Sequence, residues 1–399
     1  MNQQTDTEIR AGFLIYIAIL GAFSSLVNDM YLPAVPAMMR EFHTTPSVTQ
    51  LGLSSVMLGL GIGSALWGSI SDRYGRKPIL LLSLGIFTAA TAISVISPSI
   101  YFFIACRLVQ GLGAGGAMVL SYSIPADRYT GRSLAKVMAL VGAINGIAPA
   151  LAPTVGGLMA DATGWRGIFL LLLAIGVAMY IWSRNMPESL PPQKRLQTIG
   201  IAQYIKAYSM LFRNSRFMIY VLLKSVGIGL LFAYISSAPF IIQDHYGFSA
   251  LAFGLIFGGN AISIAIGSVM VMKFKVLKHG LVTGALVMIA FALGEAWVMF
   301  HSGSFTAYEI MAIPMLAGSG MVFAGANSLG MDVGRSDAGT AAAILNVIKY
   351  IFAAIVSPLV GLGCVLRSSA VVFACIAILA LAFTIPAMRL KPLPEMTKK

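Results

Sequence analysis

The sequence predicts an all-α membrane protein, with twelve transmembrane helices in two pseudo-symmetric six-helix bundles. Three observations predict it. Of 399 residues, 58% are hydrophobic and only 10% charged, against about 25% charged in soluble domains. Twelve apolar runs reach the roughly 20 residues that a membrane helix needs. One long polar break, from Met186 to Arg216 and holding "PESLPPQKRLQ", separates the first six runs from the last six. The expected domains are an N-terminal bundle over 1–186, a cytoplasmic linker over 187–216 and a C-terminal bundle over 217–399.

The runs lie at 12–37, 48–70, 78–97, 100–124, 135–160 and 166–186 in the first half. In the second they lie at 217–241, 250–272, 280–300, 306–330, 340–363 and 369–388. An even number of spans puts both termini on one side. Of the 27 Lys and Arg, only Arg40, Arg166 and Arg367 fall on the opposite side. Arg107, Lys224 and Lys349 fall inside spans, and all others share the side of the termini. The positive-inside rule therefore predicts both termini in the cytoplasm. The formal charge of +13 is spread through short loops as a topology signal, whereas a nucleic-acid binder gathers its basic residues on one polar face. No cleavable signal is expected at the N-terminus.

The first run is longer than the others and holds "AFSSLVNDMYLPAVP". Pro33 and Pro36 are expected to bend its outer end. Asp29 stands inside it, where a carboxylate in hydrocarbon costs several kcal/mol. An acid at such a place marks an ion or substrate pathway, or else a fixed salt bridge or polar cap at the bend. The second run carries Gly59 and Gly63, and the fourth carries Gly111 and Gly115. Small residues four apart let helix backbones approach closely, and Gly142 and Gly146 in the fifth run share that spacing. The turn between runs two and three reads "GSISDRYGRKPIL". There Gly75 permits a tight turn, Pro78 suits a first helical turn, and Arg73, Arg76 and Lys77 hold the loop in the cytoplasm.

Arg107 in the fourth run is the second buried charge, and it must find a carboxylate, a carbonyl or water. At 1.5 Å per residue it lies about 12 Å from the outer end of its helix, and Asp29 about 27 Å from the inner end of its own. Both then fall in the outer half of the membrane at comparable depth. Proximity would let each bias the other's charge.

"GSISDRYGRKPIL", "RLVQGLGAGGA" from Arg107 and "GAINGIAPALAPTVGG" from Gly142 together resemble the signatures of the major facilitator superfamily. "NDMYLPAVP" and "YISSAPFIIQDHYGFS" are similar to its bicyclomycin/chloramphenicol-resistance (Bcr/CflA-type) branch of drug:proton antiporters. The resemblance covers nearly the whole chain. It implies the major facilitator fold, a multi-pass protein of the bacterial cytoplasmic (inner) membrane, and drug efflux with antibiotic resistance. It implies a conformational latch of Asp72, Arg73, Gly75, Arg76 and Asp127 that favours the outward-facing state. It also implies an antiporter-motif hinge of Gly142, Gly146, Pro149, Pro153, Gly156 and Gly157; helix packing alone is the other reading of those residues. Spans one, four, seven and eight line the cavity in that family, which assigns Tyr31, Phe232, Tyr234, Phe240 and Phe257 to it.

Lys224 and Lys349 belong to none of these signatures. Both face the cavity, or snorkel to the cytoplasmic edge; Lys349, in mid-span, is the better cavity candidate. Two ammonium groups there would welcome anionic or zwitterionic substrates. Asn145, Asn260, Asn327 and Asn346 either bridge helices or touch substrate. Glu295 and Glu309 are further acids in spans nine and ten; span nine is peripheral in that family, so Glu295 reads as interfacial or paired. Cys106, Cys364 and Cys375 lack ligand spacing and read as small hydrophobes.

The leading expectation is a monomeric proton-coupled exporter of small amphipathic molecules, with Asp29 and Arg107 carrying the coupling. Its partners would be the substrate, protons and membrane lipid, with no nucleic acid. The alternative is a proton-coupled or facilitative transporter of a specific anionic or zwitterionic metabolite. A membrane sensor that moves no solute is a third class. The sequence holds no phosphate-binding G-x-x-x-x-G-K-[ST] of an ATP-driven pump. His43, His245, His279 and His301 are scattered, so neither an enzyme, a metal nor a cofactor is expected.

Overall fold

The structure, a computed structural model, describes residues 11–195, 208–301 and 303–390. Among these, eleven helical stretches are long and apolar enough to cross a membrane. The longest, Gly131–Asn185, breaks at Gly164, whose φ of 69° and ψ of −174° are not helical. It is therefore two helices, and the expected spans 135–160 and 166–186 are joined by a single residue. The linker centre at 196–207 and the basic residues Arg10, Lys206, Lys391, Lys398 and Lys399 lie outside the described residues.

Helix α1 is Ala11–Asp29. It gives way to a 3-10 turn, Leu32–Ala34, and a short helix, Val35–Glu41. Pro33 explains the break. It lacks the N–H that would reach the carbonyl of Asp29 four residues earlier. Helices α2 (Pro46–Tyr74), α3 (Arg76–Val95) and α4 (Ile100–Arg128) follow. Then come α5 over 131–163 and α6 over 165–185. In the second part, α7 is Ser215–Pro239, ending in a wide turn, Phe240–His245. The rest are α8 (Ala250–Met270), α9 (Leu277–Phe300), α10 (Phe305–Val333), α11 (Ala338–Leu359) and α12 (Val365–Arg389). Thr45, Ser99, Asn214 and Ser304 begin α2, α4, α7 and α10 by accepting the backbone N–H three residues on, which satisfies an otherwise orphaned donor.

The chain forms two compact units. One is Met1–Ile199 with Phe248–Gly258; the other is Gly200–Gly247 with Gly259–Lys399. The start of α8 thus groups with the first unit, a discontinuity that a linear division at 187–216 does not contain.

In the first unit α2 packs along α4, backbone on backbone. A Cβ at Gly59 would stand 2.2 Å from the carbonyl oxygen of Leu108, and one at Gly111 2.2 Å from that of Val56. The small-residue spacing read from the sequence is therefore a packing stripe. The second unit repeats the device between α8 and α10, where a Cβ at Gly267 would stand 1.9 Å from the carbonyl oxygen of Ala317 and one at Gly320 2.1 Å from that of Ile264. Such contacts matter because lipid supplies no hydrophobic drive between helices. Gly142 and Gly146 differ: nothing lies within 4 Å of a Cβ at either, so the expected close approach is absent there.

An aromatic cap closes one end of the first unit. Phe42, Phe103, Trp165 and Phe169 meet edge to face or tilted, with centroids 5.2–6.5 Å apart. Glu41 accepts from Trp165 Nε1 at 2.7 Å and pairs with Arg166. This ties the short helix after α1 to the start of α6.

Candidate functional site

The first unit holds two polar clusters. The deeper one lies where α1, α2 and α4 meet. Arg107 is fully buried. Its guanidinium donates to the Val27 carbonyl at 2.9 Å, to Gln110 Oε1 at 2.5 Å and, at 3.4 Å, to the Gly52 carbonyl. It also lies 4.3 Å over the Tyr31 ring and 5.6 Å over that of Phe169. Gln110 in turn donates to Thr91 of α3 at 2.7 Å. Arg107 is thus held by carbonyls, an amide and π-faces, and its charge clamps α4 to α1 two residues before Asp29.

Asp29 is 7% exposed at the last position of α1. Its side-chain partner is Ser25, one turn earlier. Among the described residues no ion pair joins it to Arg107, although both are buried in the same unit. The pairing open in the sequence is therefore absent in this arrangement. Beside Asp29, the break in α1 is filled by backbone: a Cβ at Gly156 would stand 1.8 Å from the Met30 carbonyl oxygen. A Cβ at Gly157, next along α5, would stand 2.4 Å from the Ala250 carbonyl oxygen, and one at Gly254 2.5 Å from that of Pro153. Two of the expected hinge glycines, Gly156 and Gly157, are thus at close backbone contacts, whereas Gly142 and Gly146 face open space. Pro153 is buried and Pro149 half-buried on the same helix.

The second cluster surrounds the turn between α2 and α3. Gly75 turns the chain with φ 104°, a value that favours glycine. Arg76 pairs with Asp72 at 2.6 Å and with Asp127 at 2.9 Å, and donates to Ser71 Oγ at 2.7 Å. Asp72, Arg76 and Asp127, three of the five latch candidates, therefore form one network with Gly75 as its corner. Arg73 is exposed and lies over Tyr74. Glu188 completes the network and was missed. Its carboxylate accepts the backbone N–H groups of Arg76 at 2.9 Å and Lys77 at 3.2 Å, which caps α3. Ser189 Oγ then donates to Asp127 at 3.1 Å. The one sequence signal was an acid at the head of an otherwise basic linker.

The second unit brings Lys224 and Lys349 together around Phe323 of α10, with nitrogens 5.3 and 5.7 Å from that ring. Lys224 is buried and donates to Asn327 Oδ1 at 2.7 Å. Snorkelling to the membrane edge is thus corrected for Lys224, because Asn327 and the Phe323 face satisfy the ammonium inside the unit. Lys349 also lies 4.6 Å over Tyr350. Asn346 is exposed, Phe240 buried and Phe232 half-buried. Tyr234 belongs to another group, accepting from Asn260 at 2.7 Å. Phe257 packs on Phe253. Asn145, Asn260 and Asn327 all bridge helices, Asn145 by donating to Tyr122 at 2.6 Å.

The chain matches the family model described as Major Facilitator Superfamily over residues 17–358. It is 33% identical over 361 residues to the uncharacterized MFS-type transporter YdgK of Bacillus subtilis, covering 89% of each chain. It is 27% identical to multidrug resistance protein D of Escherichia coli, over 87% of each. It is 26% identical to a bicyclomycin resistance protein homolog of Haemophilus influenzae, over 96% of this chain and 97% of that one. Among solved structures, a bacterial homolog of the human lysosomal transporter Spinster superposes with a TM-score of 0.78 at 15% identity, over 95% of this chain and 97% of that one.

Proposed function

Since this chain belongs to the Major Facilitator Superfamily, a family of multi-pass membrane transporters and not of enzymes, we propose that it is a proton-coupled exporter of small amphipathic molecules working by alternating access. Relatives named for multidrug and bicyclomycin resistance support the substrate class. The observation that carries the coupling is Asp29: a buried carboxyl at the break in α1, with Ser25 as its side-chain partner and no cation paired to it among the described residues.

Burying an ionised carboxylate without a counter-charge is costly. A bound proton or a cationic substrate removes that cost, and the two then compete for one group. Protonation releases the substrate; loss of the proton restores the anion for the next cycle. Arg107 acts as the anchor beside it, holding α4 to α1 through Val27. The Asp72, Arg76 and Asp127 network, capped by Glu188, stabilises one end state, and its opening accompanies the swing to the other. The membrane is the bacterial inner membrane with both termini cytoplasmic, and the working unit is a monomer.

A specific observation favours a second reading. Lys224 and Lys349 share the Phe323 ring, and an ammonium pair attracts anionic or zwitterionic metabolites. One experiment separates the two. The protein is expressed in an efflux-deficient host challenged with cationic drugs, peptides, sugars and siderophores, with and without a proton gradient. Resistance to amphipathic drugs that vanishes with the gradient supports the proposal. Resistance that survives its collapse rules out proton-driven export.

A further inference from the structure

The second unit contains another buried acid group, remote in sequence from Asp29. Glu295 of α9 is 0% exposed, and neither of its carboxyl oxygens has a hydrogen-bond partner. Glu309 of α10 accepts from Asn260 of α8 at 2.8 Å through Oε2, while its Oε1 is buried without a partner. The α9–α10 hairpin sets the two acids level. Glu295 stands five residues before Phe300, the end of α9, and Glu309 four residues after Phe305, the start of α10. At 1.5 Å per residue these are about 7.5 Å and 6 Å from the helix ends at the hairpin. Gly294 against Met311 holds the helices together there.

Three tyrosines complete the surroundings. Tyr308 of α10 is fully buried, its hydroxyl has no partner, and it interacts electrostatically with Glu295. Tyr234 of α7 stacks on Tyr308 with centroids 6.5 Å apart and accepts from Asn260. Tyr246, beyond α7, packs on Tyr308 at 5.9 Å and donates to the Gly303 carbonyl in the hairpin at 2.9 Å. No Lys, Arg or His among the described residues pairs with either carboxyl. Of the two readings given for Glu295, interfacial or paired, pairing with a cation is not found among the described residues.

We propose that Glu295 and Glu309, with Tyr308 and Asn260, form a second proton-binding site, separate from Asp29 and confined to the second unit. Two carboxyls, an idle hydroxyl and an amide offer oxygen in excess and no positive charge. An apolar shell tolerates such a group only if a positive charge enters it, and a proton is the smallest. The step is a simple transfer: a hydronium ion from the water phase gives its proton to a Glu295 oxygen and leaves as water, and the neutral acid then donates its O–H to a neighbouring oxygen. Asn260 fixes Glu309 as the partner that stays hydrogen-bonded, and Tyr246 lies between the site and the hairpin tip. On the expected topology that tip faces outside, which is the side from which such a proton enters.

The test is infrared spectroscopy of the purified protein in H2O and 2H2O, which distinguishes the C=O stretch of a protonated carboxyl from a carboxylate. It reads protonation whether or not any solute is transported, so it stands apart from the exporter reading. In an Asp29→Asn background a deuterium-sensitive carboxylic-acid band is expected to persist. It is expected to be lost in Asp29→Asn/Glu295→Gln and shifted in frequency in Asp29→Asn/Tyr308→Phe. Should the glutamine variant fail to fold, the tyrosine variant alone decides through that shift. Absence of the band in Asp29→Asn, or its indifference to both substitutions, overturns the proposal. A band that disappears on adding Na+ or K+ at constant pH also overturns it, in favour of an alkali-cation site.

Discussion

The backbone of Gly156 presses on the carbonyl of Met30, the residue after Asp29, so closely that a methyl group at Gly156 would stand 1.8 Å from that oxygen. The signature glycine of α5 therefore sits on the break in α1 that carries the buried acid. Gly156→Ala is expected to destabilise the protein by about 1–3 kcal/mol, the usual cost of overpacking, and to abolish export. Gly146→Ala, with nothing within 4 Å of its Cβ, is expected to be neutral or slightly stabilising. Thermal unfolding in detergent and drug resistance, read side by side, check the contrast. Equal behaviour of the two variants would remove the role given to the contact.

Asp29→Asn preserves size and shape while removing the ionisable group. In proteoliposomes the variant is expected to retain substrate binding for neutral compounds and to lose drug-driven proton release. Undiminished coupled exchange would show that the proton is carried elsewhere.

Glu188→Gln weakens the charged cap on α3 and the link from Arg76 to the linker head. A cap of this kind is worth about 1 kcal/mol, and that loss in stability is expected. Asp127→Asn removes a charge-assisted partner of Arg76, worth about 1.5–3 kcal/mol. It is expected to shift the balance of transport conformers, seen as altered labelling of introduced cysteines on the cytoplasmic side. Unchanged labelling with unchanged stability would mean the network is only a topology signal.

Lys349→Met removes one ammonium beside Phe323 and leaves Lys224 bonded to Asn327. If the lysine pair selects substrate charge, uptake of anionic test compounds into vesicles falls several-fold while export of lipophilic cations holds or improves. Parallel losses for both classes would point to a structural role.

Helix number and the α2–α4 stripe were legible because each depends on local composition or spacing. Glycines four apart and a run of about 20 apolar residues carry their meaning wherever the chain goes. Asp29 and Arg107 were legible as buried charges, since charge inside a span is conspicuous. Their separate partners were not, because Arg107 is satisfied by the carbonyls of Val27 and Gly52, and backbone acceptors leave no trace in residue identity. Glu188 was illegible for a related reason: it acts 112 residues from Arg76, through the backbone N–H of whatever residue stands there. Glu295 and Glu309 were undervalued because the hairpin that sets them level is a matter of where two helices end.

The one-residue junction at Gly164 has a mechanical consequence. With no slack between α5 and α6, a tilt of the motif-bearing helix is handed on to Trp165 and Arg166, and through Glu41 to the segment beyond Asp29. The acid's helix and the glycine-rich helix are therefore geared at both ends, by Gly156 at the break and by the aromatic cap above it. Lengthening the chain by a few flexible residues at 164 would uncouple them, leaving a protein that still folds and binds but turns over slowly.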